Sequence, residues 1–182
     1  MRRMIWVLAC TCISIVLAAG PTVGQETHLK SVVTAYSYLE IFGYVFGTVR
    51  NADGSSDHAL IENAIKGMLA TSPSEPIASL ASKGLSAGDK RATAEDRKYQ
   101  YLGTFGNAFE LVRRKGDIEG DRQFLQAAID GMLSISSPTA NNLNAKLTIR
   151  RLKEPKLYEL LEVTEEQGRA IVTLKSADQL GD

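Results

Sequence analysis

The sequence predicts a mainly α-helical fold in which two repeated antiparallel helical hairpins form a small bundle and a short β-hairpin follows at the C-terminus. Three observations predict it. A segment of about sixty residues occurs twice. Both copies carry apolar residues at the helical period. The last part of the chain changes to short β-branched runs on either side of a glycine.

Residues 1–24 are predicted to be a secretory signal peptide. They contain the basic segment Met1–Met4, the apolar run Ile5–Leu17 and the small residues Ala18–Gly20 that a signal peptidase needs. The apolar run is too short to span a bilayer comfortably. We therefore expect export to the bacterial periplasm. A lipoprotein signal is the alternative, since Val7–Cys10 loosely resembles a lipobox, although few apolar residues precede that cysteine.

The repeat is visible by direct comparison of two pairs of segments. Tyr38–Arg50 (YLEIFGYVFGTVR) matches Tyr101–Arg113 (YLGTFGNAFELVR) at a separation of 63 residues. Asp57–Leu69 (DHALIENAIKGML) matches Asp121–Leu133 (DRQFLQAAIDGML) at a separation of 64. The second connecting loop is therefore one residue longer than the first. We assign the first copy to residues 25–70 and the second to residues 99–134.

Each copy is predicted to form two helices joined by a short polar loop, which gives an antiparallel hairpin. Asp57 and Asp121 stand just ahead of the second apolar stripe of their copy, where we expect them to be N-caps. The apolar faces are the predicted interaction surfaces, for self-association or partner docking. They comprise Leu39, Phe42, Phe46, Leu60, Ile61, Ile65, Leu102, Phe105, Phe109, Phe124, Leu125 and Ile129.

Two pairs of glycines recur inside the predicted helices, Gly43 with Gly106 and Gly67 with Gly131. A glycine in a helix costs about 1 kcal/mol relative to alanine. Their presence in both copies predicts that another helix approaches closely at each of them, the alternative being simple inheritance from a recent duplication.

The remaining segments are predicted to connect and close the bundle. Residues 71–98 are a linker with a short helix at Glu75–Lys83, and residues 135–182 contain a second linker, a short helix at Leu147–Leu152 and the β-hairpin. The hairpin strands are predicted at Tyr158–Thr164 and Ala170–Leu174. The turn between them, Glu165–Gly168, would use the glycine for a positive φ.

The composition excludes several classes of function. With 21 basic and 21 acidic side chains in 182 residues, the chain has no net charge and no electrostatic footprint for nucleic acid. Both cysteines, Cys10 and Cys12, lie in the predicted signal peptide, which leaves no disulfide and no nucleophilic thiol in the exported form. With His28 and His58 as the only histidines, there is no Cys/His set for zinc, and we expect no metal and no cofactor.

No arrangement of residues predicts a catalytic site. A serine nucleophile needs a base within hydrogen-bond reach and an oxyanion hole, whereas Ser82–Lys83 and Lys175–Ser176 are adjacent pairs. His58 has Arg122 as its counterpart in the second copy, and Glu165–Glu166 is expected in a solvated turn. We therefore predict that the protein is not an enzyme.

The two copies resemble the N-terminal helical segment of the carboxyl-terminal processing proteases, also called tail-specific proteases. The shared pattern is Y-x-x-L-x-x-F-G-x-V-F-x-x-V-R, a short loop, and D-x-x-L-I-E-x-A-I-x-G-M-L, over residues 36–70 and again, with changes, over residues 99–134. In that family a PDZ domain follows, and Leu161–Val172 resembles its opening. The family's Asp-Pro-His stretch is replaced by Ser72–Ser74, and the rest of the PDZ domain and the Ser–Lys catalytic segment have no counterpart. No catalytic residue can therefore be carried over.

The resemblance implies an exported, non-catalytic interaction or regulatory module that self-associates or docks on a partner protein, such as a full-length processing protease or its adaptor. Two alternatives remain open. The chain could be a truncated peptidase-family protein that is active only with a separately encoded catalytic part. It could also be an exported helical repeat protein with no connection to proteases.

Overall fold

The computed structural model describes residues 23–71, 92–136, 138–151, 155–176 and 178. This part of the chain is mainly helical and ends in a two-stranded antiparallel hairpin, which confirms the predicted fold class. The elements in chain order are α1 (Val23–Val49), α2 (Asp57–Ala70), α3 (Ala94–Val112), α4 (Ile118–Ser136), α5 (Ala140–Arg151), α6 (Pro155–Glu159), β1 (Leu161–Glu166) and β2 (Arg169–Leu174). Residues 1–22 of the predicted signal peptide and the predicted helix at Glu75–Lys83 lie outside the described residues.

The two copies interlock across their shared core. The most extensive helix packing is α2 against α4, the second helices of the two copies. The first helix of each copy packs on the second helix of the other, α1 on α4 and α3 on α2. Each copy thereby covers the apolar stripe of the other, as amphipathic helices must.

Gly67 and Gly131 mark the point where α2 and α4 cross. A β-carbon built on Gly67 would overlap the carbonyl oxygen of Ala127, and one built on Gly131 would overlap that of Asn63. Each such β-carbon would lie 3.3 Å from the other glycine's Cα. The predicted close approach at these two glycines is therefore confirmed.

A second contact joins equivalent residues of the two copies. The rings of Phe42 on α1 and Phe105 on α3 stack with centroids 3.7 Å apart and planes inclined by 14°. Residues related by the repeat meet each other here and at the Gly67–Gly131 crossing, so an approximate two-fold axis relates the copies. The core around this axis consists of the buried apolar residues of α1 to α4, among them Phe46, Ile61, Met68, Phe109, Leu125 and Met132.

Asp57 and Asp121 are not N-caps. Helix α2 has Ser56 in the capping position and Asp57 as its first residue, while Asp121 lies one turn inside α4. Both carboxylates are buried and form ion pairs, Asp57 with Arg50 and Asp121 with Arg113. Burial without a charged partner would be costly, so each pair fixes the loop that joins the two helices of its copy.

The C-terminal elements pack on the four-helix core. Helix α5 contacts α1 and both strands, and β2 lies against α4. The Tyr38 hydroxyl of α1 donates a hydrogen bond to the carbonyl oxygen of Lys175 at 2.6 Å. Leu143, Leu147, Val172 and Leu174 extend the core to this side of the molecule.

The predicted C-terminal boundaries need three corrections. Tyr158 belongs to helix α6 rather than to the first strand, which begins at Leu161. Glu165 and Glu166 belong to strand β1, and the turn contains Gln167 and Gly168 alone, both with positive φ. Two positive φ values are typical of a type I′ turn, which suits the twist of a hairpin. Helix α5 begins at Ala140, earlier than the predicted helix at Leu147–Leu152.

Candidate interaction groove

A groove of about 940 Å³ lies between α1 and α3, above the stacked rings of Phe42 and Phe105. Its walls include Leu39 and Leu102, which are equivalent residues of the two copies. Clefts of about 300–1,000 Å³ with mostly apolar walls and a few polar groups are the usual form of binding sites. We name this feature the Phe42–Phe105 groove.

Three glycines leave space in the groove because they carry no side chain. Gly43, Gly47 and Gly103 line it, and a β-carbon on Gly43 or Gly103 would meet no heavy atom of the described residues within 4 Å. The prediction that another helix approaches Gly43 and Gly106 is therefore wrong, since a β-carbon on Gly106 also meets nothing within 4 Å. The recurrent glycines have two different roles: those of α2 and α4 allow close packing, whereas Gly43 opens the groove.

Two exposed aromatic side chains stand at the rim. Tyr36 is 58% exposed and Tyr99 is 64% exposed, and each occupies the same position in its copy. A tyrosine side chain combines a large apolar ring with a polar hydroxyl, and such residues are enriched at binding interfaces. Their exposure beside an apolar groove favours a surface that is covered by a ligand or partner.

Cationic groups lie at one end of the groove, around Gly47 and Thr48. The Lys146 ammonium group donates a hydrogen bond to the Thr48 carbonyl oxygen at 2.9 Å. The Lys98 ammonium group forms an ion pair with Glu95 at 2.8 Å and lies 5.1 Å from the ring centroid of Tyr99. Closer to the middle of α1, Glu40 accepts a hydrogen bond from Tyr44. The groove is therefore apolar along its floor, and at the Thr48 end it has the Lys146 ammonium group beside the Lys98–Glu95 ion pair.

The residues predicted as interaction surfaces divide into two groups. Three are partly exposed: Leu39 and Leu102 line the groove, and Phe124 packs at the edge of the core. The others are buried in the shared core, namely Phe42, Phe46, Leu60, Ile61, Ile65, Phe105, Phe109, Leu125 and Ile129. Phe42 and Phe105 also form the groove floor, so four predicted residues meet at this one site.

Several groove residues lie outside the set that the sequence predicted as interaction surfaces. Tyr36 and Tyr99 stand at the first position of the repeated pattern, which was the available signal for them. Gly43 also recurs, but the sequence does not show whether a helical glycine faces a neighbouring helix or open space. Lys146 comes from α5, beyond both copies, and nothing in the repeat points to it.

The buried ionisable groups are engaged in structural pairs. The hydrogen bonds that Arg50 donates to the Asp57 carboxylate raise the pKa of Arg50. Burial raises the pKa of Asp121 despite the opposing effect of Arg113. His58 is half exposed and lies near Glu62 on the outside of α2. Among the residues that the structure describes, no group of three or more His, Cys, Asp and Glu side chains could hold a metal ion.

Comparisons with known proteins give no relative. No protein-family model, no curated protein and no solved structure matches the chain. Within the described ranges, none of the helices combines the length and the apolar character required to cross a membrane.

Proposed function

We propose that the protein is an exported, non-catalytic interaction module that acts in the periplasm by binding a helical segment of a partner protein. The observation that carries the proposal is the Phe42–Phe105 groove with its exposed tyrosine rim. The interlocked copies bury most of the apolar stripe within one chain, so this groove is where apolar surface remains accessible between them.

The shape of the groove favours a helix as the occupant. The groove extends along α1 from Tyr36 to Thr48, a distance of about 18 Å at the rise of an α-helix. A helix that lies between two others can insert its side chains into the spaces left by small residues, here Gly43, Gly47 and Gly103. Binding of an amphipathic helix in an apolar groove is a common mode of recognition.

The charges define the direction of that helix. Lys146 lies at the Thr48 end, together with Lys98 and its ion-pair partner Glu95, so a partner helix with acidic residues at one end of its apolar face is complementary to the Lys146 side of the groove. The favourable N-terminal position of acidic residues in helices would place the partner's N-terminus beside these lysines.

The resemblance to processing proteases supplies the class of partner. A full-length processing protease or its adaptor would present such a helix, and this protein would then regulate or localise it.

Site-specific photo-crosslinking in a host that exports the protein tests the proposal. A photoreactive phenylalanine at Tyr36 or Tyr99 should form one discrete adduct, whose mass identifies an exported protein. The same amino acid at Ile135, which is 47% exposed on α4, should not form it. Absence of an adduct at both tyrosines, or an adduct with the mass of two copies of this chain, contradicts partner docking.

A matched pair of variants separates groove binding from general surface contact. Gly43→Leu adds a side chain to the groove, and Gly106→Leu adds the same side chain at the equivalent position of the other copy, which does not line the groove. The first change should abolish the adduct and the second should preserve it. Circular dichroism of both variants shows whether the helices are retained.

A further inference from the structure

The two outer edges of the C-terminal hairpin differ in their hydrogen bonds to the rest of the described chain. In the antiparallel register Leu161 pairs with Leu174, Val163 with Val172 and Glu165 with Ala170. The backbone N–H and C=O groups of alternate residues in such a pair point away from the partner strand. The hairpin therefore has one outer edge on β2 and another on β1.

Four of the backbone groups on the outer edge of β2 are hydrogen-bonded to α4 or to Pro138. The Ala170 N–H donates to the carbonyl oxygen of Pro138 at 2.8 Å. The Gln126 amide accepts from the Leu174 N–H and donates to the Val172 carbonyl, both at 2.8 Å. Arg122 donates to the Leu174 carbonyl at 2.9 Å. Side chains of α4 thus replace a third strand along β2.

Within the described part of the chain, the outer edge of β1 has no corresponding hydrogen bonds. The backbone N–H and C=O groups of Ala170, Val172 and Leu174 face away from β1. Their register partners on β1 are Glu165, Val163 and Leu161, so the backbone groups of these three residues face away from β2. None of the described residues hydrogen-bonds to these outward N–H and C=O groups. An edge strand with a row of free backbone groups is a template for another strand.

The side chains of β1 indicate what kind of strand would fit. Leu161 is buried and Val163 half-buried on the face that packs on the helices, while Glu162 and Thr164 are exposed on the opposite face. Neither Glu162, Glu165 nor Glu166 forms an ion pair with any basic side chain in the described ranges. The edge therefore carries the carboxylates of Glu162 and Glu166 on its solvent face. Its inner face is apolar at Leu161 and Val163 and ends in the exposed Glu165 beside the turn.

We propose that the open edge of β1 binds an extended peptide segment in which basic and apolar residues alternate, by addition of a third strand to the hairpin. The backbone of the added strand would pair with the outward groups of Leu161, Val163 and Glu165. Its basic side chains would lie beside Glu162 and Glu166, and its apolar side chains beside Leu161 and Val163. A second copy of this chain fits less well, because pairing β1 with β1 would bring the carboxylates of both copies to one seam.

This site is independent of the Phe42–Phe105 groove, since no hairpin residue lines that groove. Amide hydrogen exchange measured by NMR on the isotopically labelled full chain tests it directly. The probe is a blocked peptide of alternating lysine and valine, about six residues long, the usual length of a strand. The control peptide has glutamate in place of every lysine.

The lysine–valine peptide should slow exchange of the Leu161, Val163 and Glu165 amides by tenfold or more. The amides of Glu162, Thr164 and Glu166 already belong to the β1–β2 ladder and should not change. Absence of slowing overturns the proposal, and so does equal slowing by the glutamate–valine peptide. Slowing that depends on protein concentration without peptide assigns the edge to self-association instead.

Two variants keep the test informative. Val163→Pro removes an outward N–H and no ladder donor, so it should abolish peptide binding while the ladder amides stay protected. The double variant Glu162→Gln and Glu166→Gln leaves the backbone intact, and it should weaken peptide binding at least fivefold at low salt. Unchanged peptide binding in both variants would contradict strand addition at β1.

Discussion

Each copy of the repeat buries an arginine–aspartate ion pair at the same position, but the hydrogen-bond geometry of the two pairs differs. Arg50 donates from Nε and Nη2 to the two carboxylate oxygens of Asp57, at 2.9 and 2.7 Å. Arg113 reaches Asp121 through a single hydrogen bond of 2.9 Å. Arg113 Nε and Asp121 Oδ1 are buried without a hydrogen-bond partner in the described part of the chain. The second loop is one residue longer, which accounts for the poorer alignment.

We predict that the two pairs differ in their contribution to stability. Asp57→Asn should cost about 3–5 kcal/mol of unfolding free energy, the usual cost of removing one partner from a buried pair. Asp121→Asn should cost less, because its carboxylate is already incompletely bonded and burial raises its pKa. Urea unfolding followed by circular dichroism measures both. An equal or larger loss at Asp121 would show that the missing hydrogen bond has no energetic consequence.

The surface pair Glu119–Arg122 gives a prediction for the pH dependence of stability. Hydrogen bonds from Arg122 lower the pKa of Glu119 from 4.5 to about 2. A lowered pKa in the folded state means that the contribution to stability is present above pH 4.5 and is lost as the pH falls towards 2. Arg122→Gln should therefore flatten this part of the stability curve, measured by urea unfolding between pH 2 and pH 6. An unchanged curve in the variant would exclude the pair as its source.

The sequence identified the important aspartates but not their role. An aspartate just ahead of an apolar helical stripe is typical of an N-cap, and a buried ion pair across a loop has the same local pattern. The recurrence of Arg50 and Arg113 at the other end of each loop was the additional signal. Burial decides between the two roles, and burial depends on the other copy.

At the scale of the helices, replacing the recurrent glycines by alanine is predicted to have opposite effects on stability at the two kinds of position. Gly67→Ala should destabilise the protein by about 1–3 kcal/mol, because its β-carbon overlaps the Ala127 backbone and α2 must move away from α4. Gly43→Ala should stabilise it by up to about 1 kcal/mol, the difference in helix propensity, because the added methyl group meets no atom within 4 Å among the residues that the structure describes. Thermal unfolding of the two variants compares them directly. Stabilisation by Gly67→Ala would contradict the close crossing.

The helices of the repeat could be predicted because their apolar residues follow the helical period over several turns. The start of the hairpin could not be placed in the same way. The segment that contains Tyr158 and the β-branched run after it looks like one strand, yet Pro155 begins a short helix that ends at Glu159. Proline is favoured at the first position of a helix, and this was the signal for α6.

At the scale of the whole molecule, the sequence predicted the bundle but not how the copies combine. Apolar faces show that helices must be covered, and they do not show which helix covers which. The arrangement of α1 on α4 and α3 on α2 accompanies the close crossing of α2 and α4 at Gly67 and Gly131. The Phe42–Phe105 groove depends on how α1 and α3 cross, and it also could not be predicted from either copy alone.

The central claim is that the two copies fold as one interlocked body and leave this groove between them. Native-state hydrogen exchange with increasing urea, read by mass spectrometry, tests it most directly. We predict that peptides from α1, α2, α3 and α4 lose their protection together, in one cooperative step. If the peptides of α1 and α2 open at a lower urea concentration than those of α3 and α4, the copies are separate units and the account is contradicted.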